Sequence, residues 1–222
     1  PQSQQDAALI VKLGLGARVI THCRCVLDDV RAALDTGVHA IGFFFATSRI
    51  LRESSHGKTI PQIVEAMAPA IELALANGCE VRFSAEDAFR SEEADLLQVF
   101  QAAERLGVHH VKVTDTVGIA TPRQVYALVR EVRRAVRCGI GFHGHDDTGC
   151  AVANAYEAIS AGATQVDVSV LGLGERVGIT PLGAFVARVF SLDPQGVAGR
   201  YRLGQLRELE RLVARAAGVE IP

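Results

Sequence analysis

The sequence predicts an α/β protein built as a (β/α)₈ (TIM) barrel, and three observations carry that expectation. Short β-rich runs alternate with amphipathic stretches of helical length, the pattern of repeated βαβ units and a parallel sheet. Several runs carry polar residues on one face only: Arg82, Ser84 and Glu86 alternate with Val81, Phe83 and Ala85. A doubly wound sheet, the alternative, usually has strand interiors apolar on both faces. Finally, His22, Glu86, Thr116, His143 and His145 all fall near the C-terminal ends of their runs, where a barrel assembles its active site.

Taken in order, the chain opens with a helix over residues 2–14, and no strand precedes it. Strands follow at 17–23, 40–47, 80–86, 110–116, 139–145 and 165–172. Helices lie between them at 26–36, 58–77, 91–106, 121–136 and 148–161. The one-sided polar pattern repeats where Lys112, Thr114 and Thr116 alternate with Val111 and Val113, and where Asp167 and Ser169 alternate with Val166, Val168 and Val170. Ser91 and Thr121-Pro122 stand where helices should begin, and Gly37, Gly78, Gly107 and Gly162 where they should end. A barrel needs eight strands and six are found. The expectation is therefore a partial TIM-barrel catalytic domain over residues 1–198, holding strands 3 to 8. Residues 199–222 are expected to form a helix leading to a C-terminal region outside this sequence.

Composition narrows the function. With 222 residues, 49% hydrophobic and 22% charged, the sequence describes an ordinary globular protein with room for a sizeable core. A net charge of −2 gives no basic footprint for nucleic acid, so an anionic substrate must be caught by local arginines. No apolar run is long enough for a bilayer, and no signal-like start appears, so a cytoplasmic location without membrane attachment is expected. Five cysteines, Cys23, Cys25, Cys79, Cys138 and Cys150, lack CxxC pairing and read as reduced thiols.

The motif richest in chemistry is GFHGHDDTGC, residues 141–150. On a strand, His143 and His145 share a face, and two imidazoles on one face can hold one divalent metal ion, with a carboxylate completing a catalytic site. A pair of ordinary core or surface histidines fits the same pattern. Arg82 and Glu86 read either as substrate-binding groups or as a structural ion pair. The glycine-rich LGLGERVG stretch reads either as an anion-binding loop or as a turn with a solvated Glu–Arg pair.

Several longer stretches add a resemblance: THCRC, SSHGKTI, VRFSAEDAFRSEEADLL, VTDTVGIATPRQVYALVREVRRAV, and the run from FHGHDDTGC to GERVGITPLG. Through them the chain resembles the homocitrate synthases, within the acyl-CoA condensing enzymes that include the isopropylmalate synthases. The resemblance implies a metal-dependent acyltransferase that joins acetyl-CoA to 2-oxoglutarate, giving homocitrate and CoA in lysine biosynthesis by the aminoadipate route. It implies a divalent metal (Zn, Mg, Mn or Co) on His143 and His145, with the third, acidic ligand on a first strand that this sequence does not contain. It further implies substrate binding by His22, Arg82, Ser84 and Thr116, with Arg82 and Glu86 catalytic. Gly172, Gly174, Glu175 and Arg176 would seat acetyl-CoA. A homodimer and feedback inhibition by lysine follow from the same resemblance. The rivals are a condensing enzyme for another 2-oxo acid, such as isopropylmalate or citramalate synthase, and a metal-binding relative without turnover.

Three residues depart from the family pattern. Asp146 stands where an asparagine is usual, Gly42 where an aspartate lies close to the substrate's distal end, and Val177 where asparagine or alanine is common. Pointing inward, Asp146 would add a carboxylate to the metal; pointing outward, it would cap the helix beginning near Thr148.

Overall fold

In the computed structural model, which describes residues 2–221, six strands form one sheet whose order is the order of the chain. The elements run α1 (Gln2–Lys12), β1 (Ile20–Arg24), α2 (Leu27–Leu34), β2 (Ala40–Ala46), α3 (Arg49–Ser55), α4 (Ile60–Ala76), β3 (Glu80–Glu86) and α5 (Glu93–Arg105). They continue with β4 (His110–Asp115), α6 (Pro122–Ala135), β5 (Gly139–Gly144), α7 (Ala151–Ser160), β6 (Gln165–Val166), α8 (Leu182–Phe190), α9 (Pro194–Arg200) and α10 (Leu206–Ala217). Among the described residues no single helix is long and apolar enough to cross a membrane. The chain divides into two units, Pro1–Thr114 with Glu131–Gly141, and Asp115–Arg130 with Phe142–Pro222.

In the first unit, β1 to β4 pair in parallel, with Ile20 opposite Ala40, Ala40 opposite Glu80, and Arg82 opposite His110. The alternation read from the sequence sorts these strands into two faces. Ile41, Phe43, Val81, Phe83, Ala85, Val111 and Val113 are wholly buried on one, beneath Val30 of α2, Ile63, Met67 and Ile71 of α4, and Leu96, Val99 and Phe100 of α5. That is the core. Gly42, Arg82, Ser84, Glu86, His110 and Lys112 take the other face. There the chain must be bare of side chains in places: a Cβ on Gly139 would fall 2.0 Å from Cδ2 of His110.

Helix signals behave unevenly. Thr59 and Gln62 form a reciprocal cap on α4, and Thr121 with Gln124 does the same for α6. Gly37, Gly78, Gly107 and Gly162 all adopt the left-handed φ that lets a helix stop. Ser91 is a correction, because its hydroxyl donates to the Asp87 carbonyl at 2.9 Å and pairs with Thr47 Oγ1 at 2.7 Å. Glu92 becomes the N-terminal flanking residue of α5. Helix α3, unforeseen, is capped by Ser48 Oγ accepting from Leu51 N at 3.2 Å.

Two strands are shorter than expected. The first begins at Ile20, not at residue 17, because Val19 N donates to the His39 ring at 3.0 Å and so meets a side chain where the ladder would continue. The last is two residues long, not the run 165–172. Asp167 N still donates to Phe142 O on β5, and beyond it the backbone turns to a different partner: Ser169 N donates to Thr180 O, and Leu182 N donates to Ser169 O. A 3₁₀ turn at Val170–Gly172 follows, with Leu171 in the left-handed region. The alternation expected for Asp167 and Ser169 against Val166, Val168 and Val170 is absent, all five being half-buried.

Candidate active site

In the second unit, His143 is the penultimate residue of β5 and His145 lies just past its end, so the strand's alternation turns both rings to one side. Their Nε2 atoms lie 3.3 Å apart. Each ring is anchored through its other nitrogen: His143 Nδ1 donates to Asp167 Oδ2 at 3.0 Å, and His145 Nδ1 donates to the Gly178 carbonyl at 3.2 Å. Both acceptors can only accept, so both Nδ1 atoms carry hydrogen and the two Nε2 atoms face each other, where a ring in its neutral form offers a lone pair. Burial, reinforced by the neighbouring His143 and Arg176, lowers the pKa of His145 and favours that neutral form.

Two lone pairs face to face repel unless a cation or a proton sits between them. Two imidazole nitrogens at 2.0–2.1 Å from one ion, at a tetrahedral angle, are about 3.3 Å apart. The separation, the tautomers and the outer-sphere acceptors all suit two ligands of one divalent metal. Among the described residues no third His, Cys, Asp or Glu joins them in a group able to hold an ion. The fit is that of two ligands out of a larger set.

Asp146 turns away from this pair. Its Oδ1 accepts from Ala151 N at 2.8 Å, at the start of α7, which selects the capping role. The helix starts at Ala151, not near Thr148, whose hydroxyl donates to the Gly118 carbonyl at 2.7 Å.

The GER loop folds back on itself. Ile179 N donates to Gly172 O at 3.0 Å, and Gly172 N donates to Ser169 O at 3.2 Å, so this N–H is already engaged within the turn. Gly178 sits at φ 94°, and a Cβ there would fall 1.8 Å from Gly172 O. A Cβ on Gly174 would lie 3.2 Å from the Gly178 Cα, so the two backbones pack side by side. Arg176 does not pair with Glu175. Its guanidinium grips both oxygens of Asp147 at 2.8 Å and donates a further bond, also 2.8 Å, to the Thr116 carbonyl. Hydrogen bonding by Arg176 holds the Asp147 carboxyl below the usual range. Sequence reasoning missed Asp147 and Asp167; the signal for Asp147 was the doubled aspartate after the second histidine.

In the first unit, Arg82 is 17% exposed along its side chain and donates from Nε to Glu80 Oε1 at 2.8 Å. The ion pair imagined with Glu86 is replaced by one with Glu80, two residues the other way along the same face. Arg18 binds the second oxygen of Glu80. Burial pushes the Glu80 carboxyl up, but Arg82 and Arg18 together outweigh it and leave its pKa lowered. His110 Nδ1 lies 3.5 Å from Glu80, and burial lowers its pKa, which favours the neutral ring. Ser84 is buried and Glu86 half-buried at the C-terminal end of β3, where the Glu86 carbonyl accepts from Thr47 N. His22 is exposed on β1 opposite Gly42, and a Cβ at 42 would meet its ring at 3.2–3.6 Å. Glycine there makes room for the imidazole.

Comparison with known proteins adds what geometry alone does not. The HMGL-like family matches residues 1–213. The chain is 51% identical over its whole length to the mitochondrial homocitrate synthase of Schizosaccharomyces pombe, covering 53% of that protein. It is 48% identical, again over its whole length, to the cytosolic homocitrate synthase isozyme of Saccharomyces cerevisiae, covering 52% of it. Identity to the 2-isopropylmalate synthase of Methanocaldococcus jannaschii is 35% over 98% of this chain and 42% of that one. The chain thus spans about half the length of the curated relatives it matches. Among solved structures, the HMG-CoA lyase of Brucella melitensis superposes with a TM-score of 0.81 at 22% identity, over 97% of this chain and 79% of that one. This likeness shows the fold, a (β/α)₈ barrel of which this chain carries six strands.

The cytoplasmic expectation is overturned. The S. pombe relative and three others at 48–51% identity carry mitochondrial names, and the cytosolic isozyme stands beside them. Compartment is written in targeting segments, and the composition of a barrel does not encode it.

Proposed function

The chain belongs to the HMGL-like family, and we propose that it forms the barrel part of a homocitrate synthase, an acyltransferase that condenses acetyl-CoA with 2-oxoglutarate. What supports this over the isopropylmalate reading is identity of 51% to a homocitrate synthase against 35% to an isopropylmalate synthase, over nearly the same residues. The single geometric observation behind it is the pair of Nε2 atoms 3.3 Å apart, each ring fixed from behind.

His143 and His145 would hold a divalent metal, with Asp167 and Gly178 fixing their tautomers. Bound there, the metal would act as a Lewis acid on the ketone of the 2-oxo acid. Arg82 presents a planar fork suited to a carboxylate, and the Ser84 hydroxyl offers a further donor on the same face. Thr116 and His22 are assigned to substrate binding and Glu86 to proton transfer, as a carboxylate near a strand's C-terminal end. Gly172, Gly174, Glu175 and Arg176 are assigned to acetyl-CoA. For Arg176, the bond to Asp147 would keep the guanidinium in one orientation. Homodimeric assembly and inhibition by lysine rest on the family resemblance and are proposed with it.

The test is CoA release by the full-length protein with 2-oxoglutarate, 2-oxoisovalerate or pyruvate as partner for acetyl-CoA. The expected outcome is release with 2-oxoglutarate, lost together with bound metal in His145→Ala as measured by elemental analysis. Preferential release with 2-oxoisovalerate or pyruvate would move the protein to its rivals. No release with any of the three would overturn the condensing reading.

A further inference from the structure

The chain leaves β3 through a turn whose buried acid has no role in the reading above. Ladder pairing ends with Ala46 opposite Glu86, and the next residue, Asp87, adopts the left-handed conformation at φ 60° and ψ 40°. A side chain is strained there, whereas glycine would take the same angles freely. The surroundings hold the strained residue by its polar groups. Its carboxylate is buried, the residue being 1% exposed, and accepts from Ser48 Oγ, just past the end of β2. Arg90 Nε donates to both oxygens of the same carboxylate, at 2.7 and 3.0 Å. The Asp87 carbonyl accepts from Arg90 N at 3.1 Å and from the Ser91 hydroxyl at 2.9 Å. One residue earlier, the Glu86 carbonyl accepts twice from Thr47, from its N–H at 3.1 Å and its hydroxyl at 3.0 Å.

Backbone strain persists only where its surroundings over-determine it, and it collects beside functional groups. The ladder is already complete at Glu86, so what this clamp adds is a fixed exit direction, not further pairing. We propose that Asp87, held by Ser48 and Arg90, is a positioning residue that fixes the direction in which Glu86 presents its carboxylate for proton transfer. This rests on the proposed function, which gives Glu86 that task, and goes beyond it by naming what aims the group. The two Thr47 bonds set the plane of the peptide joining residues 86 and 87, and the clamped carboxylate sets the turn that follows it. The Cα–Cβ bond of Glu86 is directed by that backbone, which leaves only its side-chain torsions to adjust. A general base must come within hydrogen-bond reach of the proton it takes, and a misplacement of about 1 Å can cost about a hundredfold in rate.

A double-mutant cycle on the full-length protein tests this, with CoA release from acetyl-CoA and 2-oxoglutarate as the assay and Glu86→Gln, Asp87→Gly and their combination as the variants. Glycine keeps the left-handed turn and removes the carboxylate. The turnover number is counted per 2-oxoglutarate-binding site, titrated by calorimetry, so a loss of folded fraction cancels. Glu86→Gln should lower kcat about a hundredfold or more. Asp87→Gly should lower it about tenfold, with the KM for 2-oxoglutarate moved by less than about twofold. In the Glu86→Gln background the same glycine should cost less than about twofold, because the group it aims is gone. Asp87→Asn, which tolerates the left-handed region and keeps an acceptor for Ser48, should recover part of the loss. An equal fall in both backgrounds would make Asp87 a strut and overturn the inference while the condensing reading stands. An unchanged kcat in Asp87→Gly, or in Glu86→Gln, overturns it in the same way. No release from the unsubstituted protein would overturn the condensing reading and this inference with it.

Discussion

The histidine pair of the second unit and the arginine on the polar face of the first are held by opposite means. His143 and His145 are fixed from behind by acceptors, Asp167 and the Gly178 carbonyl, which leave their lone pairs pointing at a common place. Arg82 is fixed through its own Nε by Glu80, a carboxylate on the same strand and the same face. The first arrangement turns two ring nitrogens toward one place, 3.3 Å apart. The second defines a charge and a direction and leaves position to the ligand. Metal coordination calls for the former, and pairing with a carboxylate is served by the latter.

Breaking the rear anchor of one histidine is the sharpest way to test that difference. Asp167→Asn keeps an acceptor near His143 but removes the charge that fixes its tautomer. Divalent-metal affinity should fall about 10–100-fold in a metal-competition titration, with little change in thermal stability. An unchanged affinity would mean that Asp167 does not orient the ligand.

A smaller effect separates ligand from cap. Asp146→Ala removes the acceptor for Ala151 N at the head of α7 and should cost about 0.5–2 kcal/mol in denaturant unfolding. The metal dissociation constant should stay as it was, and a shift in it would restore Asp146 to the coordination sphere.

The smallest effect belongs to Glu80, whose bond to the exposed Arg18 is largely screened. Its folded-state pKa is lowered, so its contribution to stability is full above the unfolded value of about 4.3 and is lost as pH falls through the folded one. Glu80→Gln should therefore flatten the acid limb of a stability-versus-pH curve below about pH 5, while the neutral plateau drops modestly. A parallel acid limb in both proteins would show that the carboxylate is not the titrating support of Arg82.

How much of this was legible in the sequence depended on periodicity. Strands β2 to β5 were placed within a residue or two because their alternation is regular and one face is wholly apolar. The same period of two misled on Arg82. Glu80 and Glu86 both share its face, and sequence cannot say which carboxylate the side chain turns toward. The shortening of β6 was illegible because it depends on Ser169 pairing with residues 180–182, a contact set by the loop between them. The histidine pair was visible as a motif. The acceptors behind it were not, since one is a backbone carbonyl and the other lies 24 residues away.

That carbonyl belongs to Gly178, which has more than one task. It tolerates no Cβ because Gly172 O occupies the space, it receives the Asp146 N–H, and it fixes the tautomer of a histidine 33 positions earlier. The loop and the strand are thus one heritable cassette. In a chimera between barrels of this family, a crossover anywhere from His143 to Gly178 would splice one parent's imidazoles onto another parent's backbone, whereas a seam beyond Gly178 would carry the histidines and their tautomers across together.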